Sequence, residues 1–166
     1  MIKFKEILIQ ILDVLAGAAF LVMVVLTVYQ VVTRYVLNAP SSWSEELVSY
    51  MFAWMTLLGA SLCTAHREHM NIPILVDHVK TTGKKWLNVL SEVIQFLFSM
   101  LVLVFGGWQI ANLALGQQTS SLGVPIGIFY YVMVLVGVLN MIFTCINIIL
   151  IFKGEISLEE PNTEVE

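Results

Sequence analysis

Arg34 stands out chemically because it closes a run of twenty residues, Val14 to Thr33, that carries no charge. An arginine at a bilayer centre costs about 2.5–3.5 kcal/mol on insertion scales, whereas one near a helix end reaches the head groups. Glu45 and Glu46 follow across a short turn. The guanidinium therefore either snorkels and pairs with one of them or anchors a protein–protein contact on that face. Asp13 sits at the other edge of the same run, close to Lys3 and Lys5. Ion-coupled carriers place a carboxylate near the membrane midplane, which Asp13 does not reach.

The remaining chemistry-bearing residues form no site. His66 and His69 are three apart, with Glu68 and Asp77 nearby and His78 beyond. A zinc site takes three or four ligands in fixed geometry, and H-x-x-H alone does not supply them. These histidines read as polar residues at a membrane boundary, and none lies where it could ligate haem across a bundle. Cys63 and Cys145 each stand alone in an apolar run, without a CxxC pair, so they read as buried small hydrophobes. The expectation is no catalytic residue, no cofactor, no metal and no enzymatic activity.

The elements that hold these residues follow from composition. The chain is 58% hydrophobic and 12% charged, against roughly 45–50% and about 25% in soluble domains. It reads as an all-α integral membrane protein. The net charge of −4, concentrated in tail glutamates, gives no case for nucleic acid. A hydrocarbon core about 30 Å thick needs roughly 20 mainly apolar residues per helix. From Val93 to Phe152 there is no charged residue or histidine. At about 1.5 Å per residue that stretch would be roughly 90 Å long, so it must fold back. Gly116 to Pro125, rich in Gln, Ser, Thr and Gly, marks the break. Spans are predicted at about 10–36, 44–65, 86–113 and 126–152, within a membrane domain 1–154 followed by an acidic tail 155–166. Barrel strands are excluded because the runs lack period-2 alternation. The first span runs too long after Lys3 and Lys5 for a cleavable signal and reads as retained.

Lys and Arg in short loops set orientation. Seven of the eight positive residues fall on one side, Arg34 being the exception. Both termini are thus expected in the cytoplasm. Ser42 and Glu45 have capping-box spacing, which would start the second helix near Trp43. The segment 68–85 mixes Ile72, Ile74, Leu75, Val76 and Val79 with Asp77, His78 and Lys80; it is too polar to span and fits a short in-plane amphipathic helix.

Within the spans Gln30, Gln95, Gln109, Asn112, Asn140 and Asn147 are expected to hydrogen-bond between helices. Gly59, Ala60, Ser61, Gly106 and Gly107 would permit close approach, giving a packed bundle. A self-sufficient secondary transporter usually shows a midplane charge, a broken span or an inverted repeat. None is visible here, so the chain reads as an accessory subunit. The alternative is a stand-alone four-helix carrier working as a homodimer, although such carriers hold a glutamate in the first span and this chain does not.

The run from Arg34 through Asn38, Pro40, Trp43, Glu45, Glu46 and Leu47, continuing to Tyr50, Phe52, Trp54, Gly59, Ala60 and His69, resembles the small membrane subunit of tripartite ATP-independent periplasmic (TRAP) transporters, the DctQ-like family. Leu122, Gly123 and Pro125 echo it more weakly. The resemblance implies a bacterial inner-membrane scaffold for a large elevator-type subunit, which is an obligate partner. It also implies a periplasmic binding protein, contact with phospholipid and no direct contact with substrate. Transport would be driven by an ion gradient, commonly sodium, and would carry an organic acid such as a C4-dicarboxylate, a sugar acid or sialic acid. Arg34, Asn38, Trp43, Glu45 and Glu46 would then form the docking turn. Tyr50, Trp54 and Gly59 would pack on the large subunit, and His69 would lie in the cytoplasmic loop. Because the chain stops at Glu166 without large-subunit sequence, it is expected to be an unfused version.

Overall fold

The computed structural model describes residues 2–66 and 81–153. Four helical runs account for nearly all of them. Helix α1 is Ile2–Tyr35 and α2 is Ser42–His66. Helix α3 is a continuous run made of Thr81–Phe98, a π-helical segment Ser99–Gly106, and Gly107–Ala114. Helix α4 is Ile126–Lys153. All four are long and apolar enough to cross a membrane. Among the described residues there is no strand, only an isolated bridge between Gln118 and Pro125. The expected in-plane helix over 68–85 lies mostly outside the described residues, as do His69 and the tail 155–166; residues 81–85 are the first turn of α3.

The helices do not surround a common interior along their length. Among the described residues α1 packs along α2, α2 along α4, and α4 along α3. The main contacts run in the order α1, α2, α4, α3, and at the terminal end side chains also link α1 to α4 and α2 to α3. Two ends can be named from the connections: a turn end, with residues 36–41 and 115–125, and a terminal end, where α1 begins and α4 finishes. The small apolar core sits toward the terminal end. Leu12, Ala65 and Phe143 are buried there, with Leu8, Leu58, Leu62 and Leu139 against them.

Helices α3 and α4 approach closely, and glycine explains it. A Cβ added at Gly127 would lie 2.4 Å from the Ala111 carbonyl oxygen, and one at Gly137 would lie 2.8 Å from Leu103 Cβ. Neither residue stood out in the sequence. Of the glycines expected to permit close approach, Gly107 does so against Met133, at 3.0 Å, while Gly59 has nothing within 4 Å. Small residues matter in this setting because helices in lipid associate through close packing and hydrogen bonds rather than hydrophobic expulsion.

Candidate functional site: the turn end

The turn end gathers five of the residues singled out by sequence. Helix α1 ends where Asn38 takes a left-handed conformation, φ 50°. That twist lets the Ala39 N–H donate to the Thr33 carbonyl at 3.0 Å. Asparagine tolerates this backbone better than most residues, so Asn38 has a local reason to be where it is. Helix α2 then starts at Ser42, one residue before the expected Trp43. The Ser42–Glu45 capping box is not formed. The Glu45 N–H donates to the Ser41 carbonyl at 3.4 Å, and the Ser44 hydroxyl to the same oxygen at 2.9 Å. Glu45's carboxylate turns instead to Arg34.

Arg34 thus has a partner inside the chain. Both side chains are about half exposed, 50% and 48%. Exposed pairs contribute about 0–1 kcal/mol. Tyr29 and Trp43 support the same junction, with ring centroids 5.9 Å apart. Trp43 remains 42% exposed.

Glu46, the next residue, does something the sequence reading missed. Its Oε1 accepts the Ser120 N–H at 3.2 Å, and its Oε2 accepts the N–H groups of Ser121 at 2.9 Å and Leu122 at 3.2 Å. Three successive amides converge on one carboxylate, the geometry of a backbone anion nest. The loop is built to present them. Thr119 N–H donates to the Val124 carbonyl at 2.9 Å, and the Val124 N–H returns to the Thr119 hydroxyl at 3.0 Å. The Ile126 N–H donates to the Gln117 carbonyl at 2.9 Å, and Gly123 supplies the required positive φ of 64°. The only hint in the sequence is that two adjacent glutamates follow one arginine, which says nothing of main-chain donors.

Tyr50 and Trp54 continue the stripe begun by Glu46, one and two turns along α2. Tyr50 stacks on Phe129 of α4 at 4.0 Å with an interplanar angle of 8°, and Trp54 Nε1 donates to the Phe129 carbonyl at 3.0 Å. One face of each ring is thus used within this chain. Their other surfaces, with Ala53, Leu57, Tyr130 and Met133, line an apolar groove of about 290 Å³ between α2 and α4. The site as a whole can fix loop geometry and present a mixed polar and aromatic surface. Among the described residues no three His, Cys, Asp or Glu side chains are grouped to hold a metal.

A second polar cluster lies at the terminal end. Lys5 Nζ donates to Asn147 Oδ1 at 2.7 Å, and Asn147 Nδ2 donates to the Thr64 carbonyl at 3.3 Å. Gln95 Nε2 donates to the Thr64 hydroxyl at 3.2 Å. Glu92, overlooked in the sequence because it precedes the uncharged stretch, is fully buried one turn from Gln95.

Comparison with known proteins places this geometry. Residues 23–154 match the family described as tripartite ATP-independent periplasmic transporters, DctQ component. A putative TRAP transporter small permease protein of Haemophilus influenzae is 28% identical over 87% of this chain and 92% of its own length. The sialic acid TRAP transporter small permease protein SiaQ of Vibrio cholerae is 30% identical over 78% of each chain. The sialic acid TRAP transporter permease protein SiaT of Haemophilus influenzae is 28% identical over 55% of this chain and 15% of its own. With four helices fit to cross a membrane and a family match over most of its length, the chain is a multi-pass membrane protein and belongs to the DctQ component family of TRAP transporters.

Proposed function

We propose that this chain is a non-enzymatic scaffold subunit that braces a larger permease and offers its turn end to a periplasmic substrate-binding protein. The observation that carries the reading is the pair of consecutive carboxylates, Glu45 on Arg34 and Glu46 on the 120–122 amides, which fastens both turns to one helix. A moving permease needs a stationary neighbour, and a partner protein needs an ordered surface to dock on. The exposed apolar side chains along α1 and α3 support the same reading, because they leave long faces for a partner and for phospholipid.

The distribution of positive residues other than Arg34 supports cytoplasmic termini and a periplasmic turn end, in a bacterial inner membrane as for the family. Arg34, Asn38, Trp43, Glu45 and Glu46 form the docking surface. The groove beside Tyr50 and Trp54, with the open face at Gly59, receives the large permease. The cargo is an organic acid such as sialic acid or a C4-dicarboxylate, moved on an ion gradient, commonly sodium, without touching this chain.

Reconstitution tests this directly. The chain co-reconstituted with its large permease and binding protein is expected to take up labelled organic acid, and Glu46→Ala is expected to lower that uptake without lowering the yield of the large permease. Vesicles holding this chain alone should stay empty. Accumulation by the chain alone would establish the homodimeric-carrier alternative instead.

A further inference from the structure

We infer that the terminal half of the molecule holds a buried water site between α2, α3 and α4, bounded by Ser61, Ser99, Asn140 and Thr144. Ser61, Ser99 and Thr144 are 0% exposed and Asn140 is 3% exposed. Their Oγ, Oγ, Oδ1 and Oγ1 atoms have no hydrogen-bond partner among the described residues.

The contrast with other hydroxyls of this chain is informative. Serine and threonine in helices commonly bond back to the carbonyl four residues earlier. Thr27, Ser49, Thr56 and Thr64 all do so, at 2.8–3.0 Å. Ser61, Ser99 and Thr144 do not, although Ser44, equally buried, bonds the Ser41 carbonyl. A buried hydroxyl that forgoes its own helix points to a partner elsewhere, because burying it unbonded costs about 1–3 kcal/mol.

Register brings the four together. Gly137 of α4 abuts Leu103 and Val104 of α3. Asn140 and Thr144 follow Gly137 on the same face, three and seven residues on, and Ser99 precedes Leu103 by four. The two helices are antiparallel, so these positions oppose each other. From the other side Asn147 bonds the Thr64 carbonyl. Helices α2 and α4 run the same way, so Ser61 and Thr144, each three residues earlier, are neighbours.

The π-helical segment begins at Ser99, and such departures from α geometry mark places where the backbone accommodates something. The groups on offer are three hydroxyls and an amide oxygen. Hydroxyls both donate and accept, which suits water; buried waters make about three hydrogen bonds each to otherwise unsatisfied groups.

The test uses the full chain in lipid nanodiscs. Water-edited solid-state NMR is expected to show rapid transfer from water to Ser61, Ser99, Asn140 and Thr144, and slow transfer to Val136 and Leu103, which are comparably buried. Transfer no faster at the four than at Val136 would overturn the site. Signals at the four that shift when sodium replaces potassium would mark a cation instead and also overturn it. As a second arm, Thr144→Val keeps the shape and removes the hydroxyl. Loss of a water-bonded hydroxyl should lower the unfolding midpoint by about 2–4 °C; a rise would show that the hydroxyl had been stranded.

Discussion

The turn end and the terminal end are fastened by opposite means. At the turn end two carboxylates work in the open: Glu45 on a half-exposed guanidinium and Glu46 on backbone amides. At the terminal end the links are largely side-chain amides and hydroxyls, and they are buried or part-buried. Both ends join distant parts of the chain: Glu46 bonds amides 74–76 residues away, and Lys5 bonds Asn147 142 residues away. Exposed charges can be remade in water and make an end adjustable. Buried neutral bonds have no such substitute and make an end rigid.

The strongest challenge to this contrast is Gly127→Ala, because it attacks backbone approach beside the turn end rather than its charges. The new Cβ would meet the Ala111 carbonyl oxygen at 2.4 Å. A loss of about 1–3 kcal/mol is expected from overpacking, measured as denaturant or thermal unfolding in detergent. If Gly127→Ala is neutral, α3 and α4 are looser there than described.

Next in size is Glu46→Ala. It strands three amides at a solvent-facing site, and about 1–2 kcal/mol is expected, since bonds to charged groups are stronger than neutral ones but water can replace part of them. Hydrogen exchange over residues 117–124 should accelerate by roughly tenfold or more, while exchange near Asn147 stays unchanged. Acceleration at both ends would show that they are coupled and break the comparison.

Asn147→Ala removes two bonds at the terminal end. About 1 kcal/mol is expected, given roughly 0.6–1.7 kcal/mol for polar contacts between membrane helices. Its effect should be less sensitive to salt than that of Arg34→Ala, since the Asn147–Thr64 bond is neutral and buried. Arg34→Ala should be smallest, about 0–1 kcal/mol, and should vanish in molar salt as exposed charges are screened. A salt-independent Arg34→Ala effect would mean the pair is shielded from water.

The sequence made the helices readable because membrane thickness fixes their length: apolar runs must be about twenty residues and must end where Gly, Pro and polar residues cluster. It also exposed Arg34 and its acidic partners, since an arginine bordering lipid demands explanation. It did not reveal which helix neighbours which. That depends on shape at Gly127 and Gly137, and a glycine in an apolar run looks alike whether it faces lipid, as open space at Gly59 allows, or a neighbouring backbone. The Glu46 nest was hidden for another reason: its donors are main-chain amides, which every residue but proline carries. The π segment lies in a uniformly apolar stretch, Ser99–Gly106, where side-chain type carries little information on helix pitch.

The first helix has a further consequence. Its 34 residues span about 51 Å, well beyond a hydrocarbon layer of about 30 Å. The uncharged stretch Val14 to Thr33 fills that layer by itself, and Lys3, Lys5, Glu6 and Asp13 all precede it. The opening three turns therefore exceed the length that the layer requires, and Lys5 within them bonds Asn147 of α4. The surplus of the first helix thus carries a basic group to within three residues of Thr144 along α4.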